Sequence, residues 1–332
     1  MPVPLIDPQH FIGAVELNHL GLVECQGADA CLFLHQQLTQ EMLMLPVGGS
    51  TKAGFCNAKG RLQASMVVVK ASDELVYLIM RHDLLERTLK RLGMFVLRAK
   101  VKLKDVSQDF SLIGLVGQSP PGTIQSQGGV NLQAPLQSCL GLSRMLLALP
   151  KSRLESELAV MLGQGRLTQE DWLTTEILSA EAWVEERTFE HFVPQMLNFE
   201  STGAVSFKKG CYPGQEVVAR SQFRGTLKKR TVIVFSNELL SVGMDIFSAL
   251  HATEPCAEIL QVSHFGEFYL ALACFQIETL MKAVDPSVAD PSFNHFVQKP
   301  AFWSDCFASK PNQEQLMKLG FLPLPYPLLD DI

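Results

Sequence analysis

Two hydrophobic patterns divide this chain, and the switch between them limits the folds open to it. Over the first hundred residues strand-like and helix-like segments alternate, whereas from Thr231 onward short β-rich pieces recur at 231–235, 257–262 and 268–274. Alternation followed by a run of strands is the pattern of an α+β protein, with a compact C-terminal β-barrel. The chain has 332 residues, 47% of them hydrophobic, enough to bury a full core in two or three units. The pattern breaks give three units: 1–106 and 107–230 as two α/β halves, and 231–332 as barrel and tail.

Within the first unit, residues 14–25 alternate as a strand around Leu17, Leu22 and Val23, and Gly27-Ala28-Asp29 turns into a helix over 31–44. Strands follow at 54–57, 62–70 and 75–79, then an amphipathic helix over 81–93 with Leu84, Leu85, Leu89 and Leu92 on one side. A strand over 95–106 closes the unit. Strands at 112–116 and 145–149 come next, separated by a Pro, Gly, Gln and Ser-rich stretch read as an exposed loop. Two helices follow them. The second opens on Thr168-Gln169-Glu170-Asp171, which has the form of a capping box, and sets Trp172, Leu173, Ile177 and Ala180 along one stripe. The tail after Asp285 carries no assignable pattern in its middle, and no internal repeat recurs at a fixed period.

The richest segment chemically is Lys209-Gly210-Cys211-Tyr212-Pro213-Gly214-Gln215-Glu216. Between 208 and 230 there are seven Lys or Arg against one acid, a local charge of +6 in a chain whose total is -6. A thiol among cations near a helix N-terminus has its thiolate favoured, so Cys211 is the first candidate for chemistry. A free cysteine is otherwise most often a small buried hydrophobe, and Gly210 and Gly214 suit a tight backbone turn. Gln215 and Glu216 fit either framing of the thiol or helix capping; Arg220 and Arg224 fit either anion binding or structural ion pairs. The other cysteines are dispersed without a C-x-x-C pair and no histidine has metal-ligand spacing, so no metal site is expected. The N-terminus lacks a secretory pattern, and no apolar run approaches the roughly 18 residues of a membrane helix; cytoplasmic residence away from membranes is the default.

The run Val205-Ser206-Phe207-Lys208-Lys209-Gly210-Cys211-Tyr212-Pro213-Gly214-Gln215-Glu216-Val217-Val218-Ala219-Arg220 closely resembles the signature of the YgfZ family, a branch of the folate-binding superfamily that includes the glycine-cleavage aminomethyltransferases. Phe33-Leu34-His35-Gln36-Gln37-Leu38-Thr39, Asn57-Ala58-Lys59-Gly60-Arg61, Phe192-Val193-Pro194-Gln195 with Asn198, Phe223-Arg224-Gly225 and the closing Leu322-Pro323-Leu324-Pro325-Tyr326 are similar to other parts of it. The resemblance implies the aminomethyltransferase fold and a cytoplasmic protein that binds tetrahydrofolate or a one-carbon derivative. It also implies a role in tRNA modification and in the upkeep of some iron–sulfur enzymes, with the enzymes of either process as partners. One folate-contacting family tryptophan corresponds to Trp172; a second falls at Leu20, which cannot stack. The family's Gly-x-Pro appears as Ala180-Glu181-Ala182.

Two other functions remain in view. A true aminomethyltransferase has, in that family, an aspartate just after the turn ending at Arg61, where this chain continues Leu62-Gln63-Ala64-Ser65 without a carboxylate. A tRNA-binding module would use the basic run over 208–230, although few aromatic residues interleave it.

Overall fold

The structure is a computed structural model that describes residues 3–118, 132–154, 161, 165–225, 227–249, 251–284, 293, 297–298, 302–310 and 316–329. Two antiparallel sheets and a closed barrel form its frame. The first sheet has the order β3 (Ser50–Cys56), β4 (Leu62–Ser72), β5 (Leu75–Arg81), β2 (Leu20–Gln26), β6 (Lys102–Asp105). The second has the order β1 (Gly13–Glu16), β7 (Phe110–Gly117), β9 (Leu142–Pro150), β8 (Leu132–Cys139).

Period-2 patterning decides which face meets what. In β4, Met66 and Val68 join the core beneath α1 (Ala30–Gln37) and α2 (His82–Gly93), while Val67 and Val69 point the other way. That other face, with Leu22, Tyr77 and Ile79, packs on Leu112, Val116, Leu146 and Ala148 of the second sheet. Both faces of the first sheet are thus buried, which is why the middle of β4, from Met66 to Val69, is a continuous apolar run.

The barrel closes in the order β10 (Lys229–Ser236), β13 (Phe268–Gln276), β12 (His251–Phe265), β11 (Asp245–Ser248), β14 (Phe302–Ala308), β15 (Met317–Leu322). Phe275, Phe307 and Phe321 meet inside it with ring centroids 5.4 to 5.9 Å apart. Between sheets and barrel runs α3 (Gln169–Leu178), whose Thr168 hydroxyl accepts the Asp171 N–H while the Asp171 carboxylate accepts the Thr168 N–H, the expected capping box. The tail returns to this junction: Tyr326 donates its hydroxyl to the Ala180 carbonyl at 2.9 Å.

Several local expectations are corrected. The single strand over 14–25 is two strands in different sheets, because the chain turns at Asn18 and His19. The first helix stops at Gln37 rather than continuing to 44: Leu38 becomes extended and bridges Phe55, and the Thr39 hydroxyl accepts the Gly54 N–H and donates to the Ala204 carbonyl, each at 2.7 Å. Of the strand over 95–106 only Lys102–Asp105 pairs, since the Asp29 carboxylate holds the Lys100 N–H and the chain before it turns. Strand β8 lies in a region read as loop; the rest of that loop, 119–131, and most of the first helix expected after 150 fall outside the described residues.

Candidate functional site

Gly214 explains how the signature segment is seated. It caps α4 (Gln215–Phe223) with φ +81°, and a Cβ there would lie 2.4 Å from the Asn57 carbonyl oxygen and 2.7 Å from the Gly60 Cα. Only glycine combines that backbone with that approach. The partner turn is tied by Asn57, whose side-chain oxygen accepts the N–H groups of Lys59 at 2.8 Å and Arg61 at 3.0 Å. The signature is therefore packed against the turn that precedes β4.

Lys209 anchors the other end. Its buried ammonium donates to the main-chain carbonyls of His35 and Leu38, the latter at 2.5 Å, at the C-terminal end of α1, where cations are favoured. It also lies 4.8 Å from the centroid of the buried Tyr212 ring. Burial lowers its pKa to about 8, against the opposing pull of Glu41 and of the Cys211 sulfur. Nearby, His35 Nδ1 sits 2.8 Å from a Glu41 carboxylate oxygen. Cys211 itself is exposed, the one exposed cysteine among the described residues, so the reading of it as a buried hydrophobe is set aside.

The basic run does not form one surface. Lys209 and Arg230 are buried, with Arg230 paired to Glu200, and Arg220 pairs with Glu216 one helical turn away at 2.9 Å. Lys208, Arg224 and Lys228 are exposed. Two of the seven charges of the basic run are therefore turned inward.

A cavity of about 460 Å³ opens elsewhere, between the edge of the first sheet and β8. Its walls carry Lys52, Val67, Leu136, Gln137, Glu181 and Thr202, a mixed apolar and polar lining. One Glu181 oxygen is 3.7 Å from Lys52 Nζ, while the other accepts from Arg144 at 2.8 Å. Lys52 Nζ lies 5.3 Å from the Trp183 ring centroid and 5.4 Å from that of Phe199. Burial lowers the Lys52 pKa, with Glu181 and Glu176 opposing the shift. The buried Trp183 Nε1 has no hydrogen-bond partner among the described residues.

Behind that wall stands a second ion pair. Arg81 donates to Glu176 at 2.9 Å, and Trp172 Nε1 donates to the other Glu176 oxygen at 3.0 Å. Burial alone would raise the Glu176 carboxyl, but Arg81, His19, Arg144 and the indole N–H outweigh it and hold the pKa below its usual value.

Trp172 is placed differently from expectation. The ring that the resemblance gives as a folate contact is fully buried, with Arg144 4.6 Å from its centroid, and it fills the space a Cβ would take at Gly114, only 2.4 Å from that position. Leu20 is likewise a buried core residue beside it. Neither Trp172 nor Cys211 lines the cavity. Lys52 and Arg144 were missed. The available signal was charge within or beside apolar runs: Arg144 in Leu142–Pro150 and Glu181 before the apolar Ala182-Trp183-Val184; Lys52, which follows Ser50 and Thr51, carried none.

Among the described residues no group of histidine, cysteine and carboxylate side chains could hold a metal ion, and no helix is long and apolar enough to cross a membrane.

Comparisons with known proteins agree with this architecture. Residues 9–129 match the family described as the GCVT N-terminal domain. The tRNA-modifying protein YgfZ of Edwardsiella ictaluri is 28% identical over 69% of this chain and 72% of its own length. A YgfZ of Aliivibrio fischeri is 28% identical over 73% of each chain. An uncharacterised protein of Haemophilus influenzae is 29% identical over 72% of this chain and 79% of its own. Among solved structures, the glycine cleavage system aminomethyltransferase T from Bartonella henselae superposes with a TM-score of 0.61 at 12% identity, covering 97% of this chain and 88% of that one. The fold is the aminomethyltransferase fold, and the resemblance to the YgfZ proteins read from the sequence is upheld.

Proposed function

We propose, from its likeness to the YgfZ proteins, that this chain is a cytoplasmic folate-binding accessory protein that acts in tRNA modification and in the maintenance of iron–sulfur enzymes, with Cys211 as its working thiol. The observation that carries the ligand assignment is the cavity bounded by Lys52 and Glu181. Its volume of about 460 Å³ lies in the usual range for small-molecule sites, and its mixed lining, with Val67, Pro135 and Leu136 beside Lys52, Gln137 and Glu181, suits a flat ring with a polar edge. The Glu181 carboxylate, whose near oxygen stands 3.7 Å from Lys52 Nζ, is the acceptor such a ring would satisfy.

Lys52, Glu181 and Gln137 would hold the ligand at its edge, with Val67 and Leu136 against its faces. Tetrahydrofolate or a one-carbon derivative supplies a reduced pterin that carries a one-carbon unit. Arg144 fixes the Glu181 carboxylate, so the acceptor is in place before a ligand arrives and little ordering is lost on binding. Trp172 acts as a support: it packs on Arg144 rather than on the ring.

Cys211 stands on a rigid turn outside the cavity, positioned by Gly214 and Lys209. An exposed thiol so placed suits reaction with a partner protein, here an iron–sulfur or tRNA-modification enzyme. The aminomethyltransferase reading lacks its carboxylate, and the Ser65 hydroxyl in that stretch is engaged by the Val184 N–H at 2.8 Å. Complementation of a strain lacking the activity tests the thiol: Cys211→Ala loses rescue, and unchanged rescue rejects the assignment. The ligand is tested separately by the thermal shift with tetrahydrofolate.

A further inference from the structure

Two oppositely charged groups sit side by side on the wall of the cavity. Lys52 Nζ and the near Glu181 oxygen are 3.7 Å apart, beyond a normal N–H···O hydrogen bond, so neither saturates the other. The other Glu181 oxygen accepts one bond from Arg144 at 2.8 Å, and a carboxylate oxygen can accept a second. An ammonium offers only donors and a carboxylate only acceptors. Together they present a donor next to an acceptor, fixed on one side by Arg144 and on the other by the Trp183 and Phe199 rings against which Lys52 lies.

A ring that satisfies this pair must carry an acceptor next to donors on one edge. The pterin of folate does: its 4-oxo group is an acceptor, and its N3–H and 2-amino group are donors. We infer that Lys52 and Glu181 read the 2-amino-4-oxo edge together, Lys52 donating to the 4-oxo group and Glu181 accepting from N3–H and the 2-amino group, which makes Lys52 the residue that selects 4-oxo over 4-amino pterins. The inference rests on the folate reading of the cavity. In a 2,4-diamino pterin the 4-position is a donor and meets the Lys52 ammonium donor to donor. A site built to hydrogen-bond one group discriminates strongly against an analogue that leaves its own buried groups unpaired.

Folic acid and aminopterin differ in the 4-substituent and, with it, in N3, which carries a hydrogen only in the 4-oxo form, so calorimetric titration of the full chain with each reads the whole edge and the Lys52 variants isolate the part owed to the ammonium. Folic acid should bind at least about tenfold more tightly than aminopterin, a conservative bound for such a mismatch. Lys52→Met, which keeps volume and leaves Glu181 paired to Arg144, should shrink the ratio by at least about threefold, the remainder being the N3–H that Glu181 accepts, and Lys52→Arg should retain more of it. Equal or tighter binding of aminopterin by the unchanged chain overturns the inference while leaving the folate reading intact, as does a ratio untouched by Lys52→Met. Absence of binding by folic acid and tetrahydrofolate alike overturns the folate reading and the inference with it.

Discussion

The guanidinium of Arg144 lies 4.6 Å from the ring centroid of Trp172 and seals it inside the protein. The buried Trp172 reaches the cavity wall through Arg144, which bonds Glu181, and through Glu176, whose charge acts on Lys52. Trp172→Phe removes the Nε1 bond to Glu176 and opens a small void against Gly114. The expected cost is about 2–3 kcal/mol, read as a lower urea midpoint. A loss of folate binding at unchanged stability would instead mean that the ring meets the ligand.

The two glycines of the signature are not equivalent. Gly214→Ala forces a Cβ at φ +81° to within 2.4 Å of the Asn57 carbonyl and should destabilise by about 2–3 kcal/mol. At Gly210 the nearest obstacle is His35 Nε2, 3.3 Å away, which a small side-chain shift relieves. Gly210→Ala should therefore cost less than half as much in the same chemical denaturation series.

Lys209 gives the stability a pH signature. Its pKa falls from 10.5 to about 8 on folding, mainly through burial, so between those values the unfolded chain binds more protons than the folded one. Stability from this group must then rise with pH across that window, and its charged form is a liability below pH 8. Denaturation of the unchanged chain and of Lys209→Met at pH 7.5, 9 and 10 should show the wild-type advantage growing with pH, on the order of 1 kcal/mol or more. A constant difference would show that the ammonium is solvated.

Cys211 should be separable from the fold. It is exposed and forms no part of the packed core, so Cys211→Ala should change stability by less than about 0.5 kcal/mol. Brief alkylation followed by peptide mass spectrometry should label it ahead of Cys25, Cys56, Cys139 and Cys274, which are buried. Labelling of those four at the same rate would contradict the placement.

Much of this was legible from the sequence, for reasons that can be named. The barrel strands, the capping box at Thr168 and Asp171 and the turn at Asn57 each follow from local patterns, and all three are present. The early stop of the first helix was not legible, because Leu38 and Thr39 are drawn off by a bridge to Phe55 and a bond to Ala204, the latter 165 residues away in sequence. The cavity was hidden for the same reason. Lys52, Arg144 and Glu181 come from three separate segments, and only tertiary packing brings their charges together. Local charge counting also overstated the basic run, since Lys209 and Arg230 turn inward.

The central claim is that the cavity beside Glu181 takes a reduced folate. Its most direct test is titration of the full chain with tetrahydrofolate, followed by calorimetry and by the melting temperature, alongside Glu181→Gln. The account predicts saturable one-site binding that raises the melting temperature as free ligand increases, and at least about a tenfold weaker affinity in the variant. No heat and no thermal shift at saturating ligand, or binding that Glu181→Gln leaves unchanged, would contradict it.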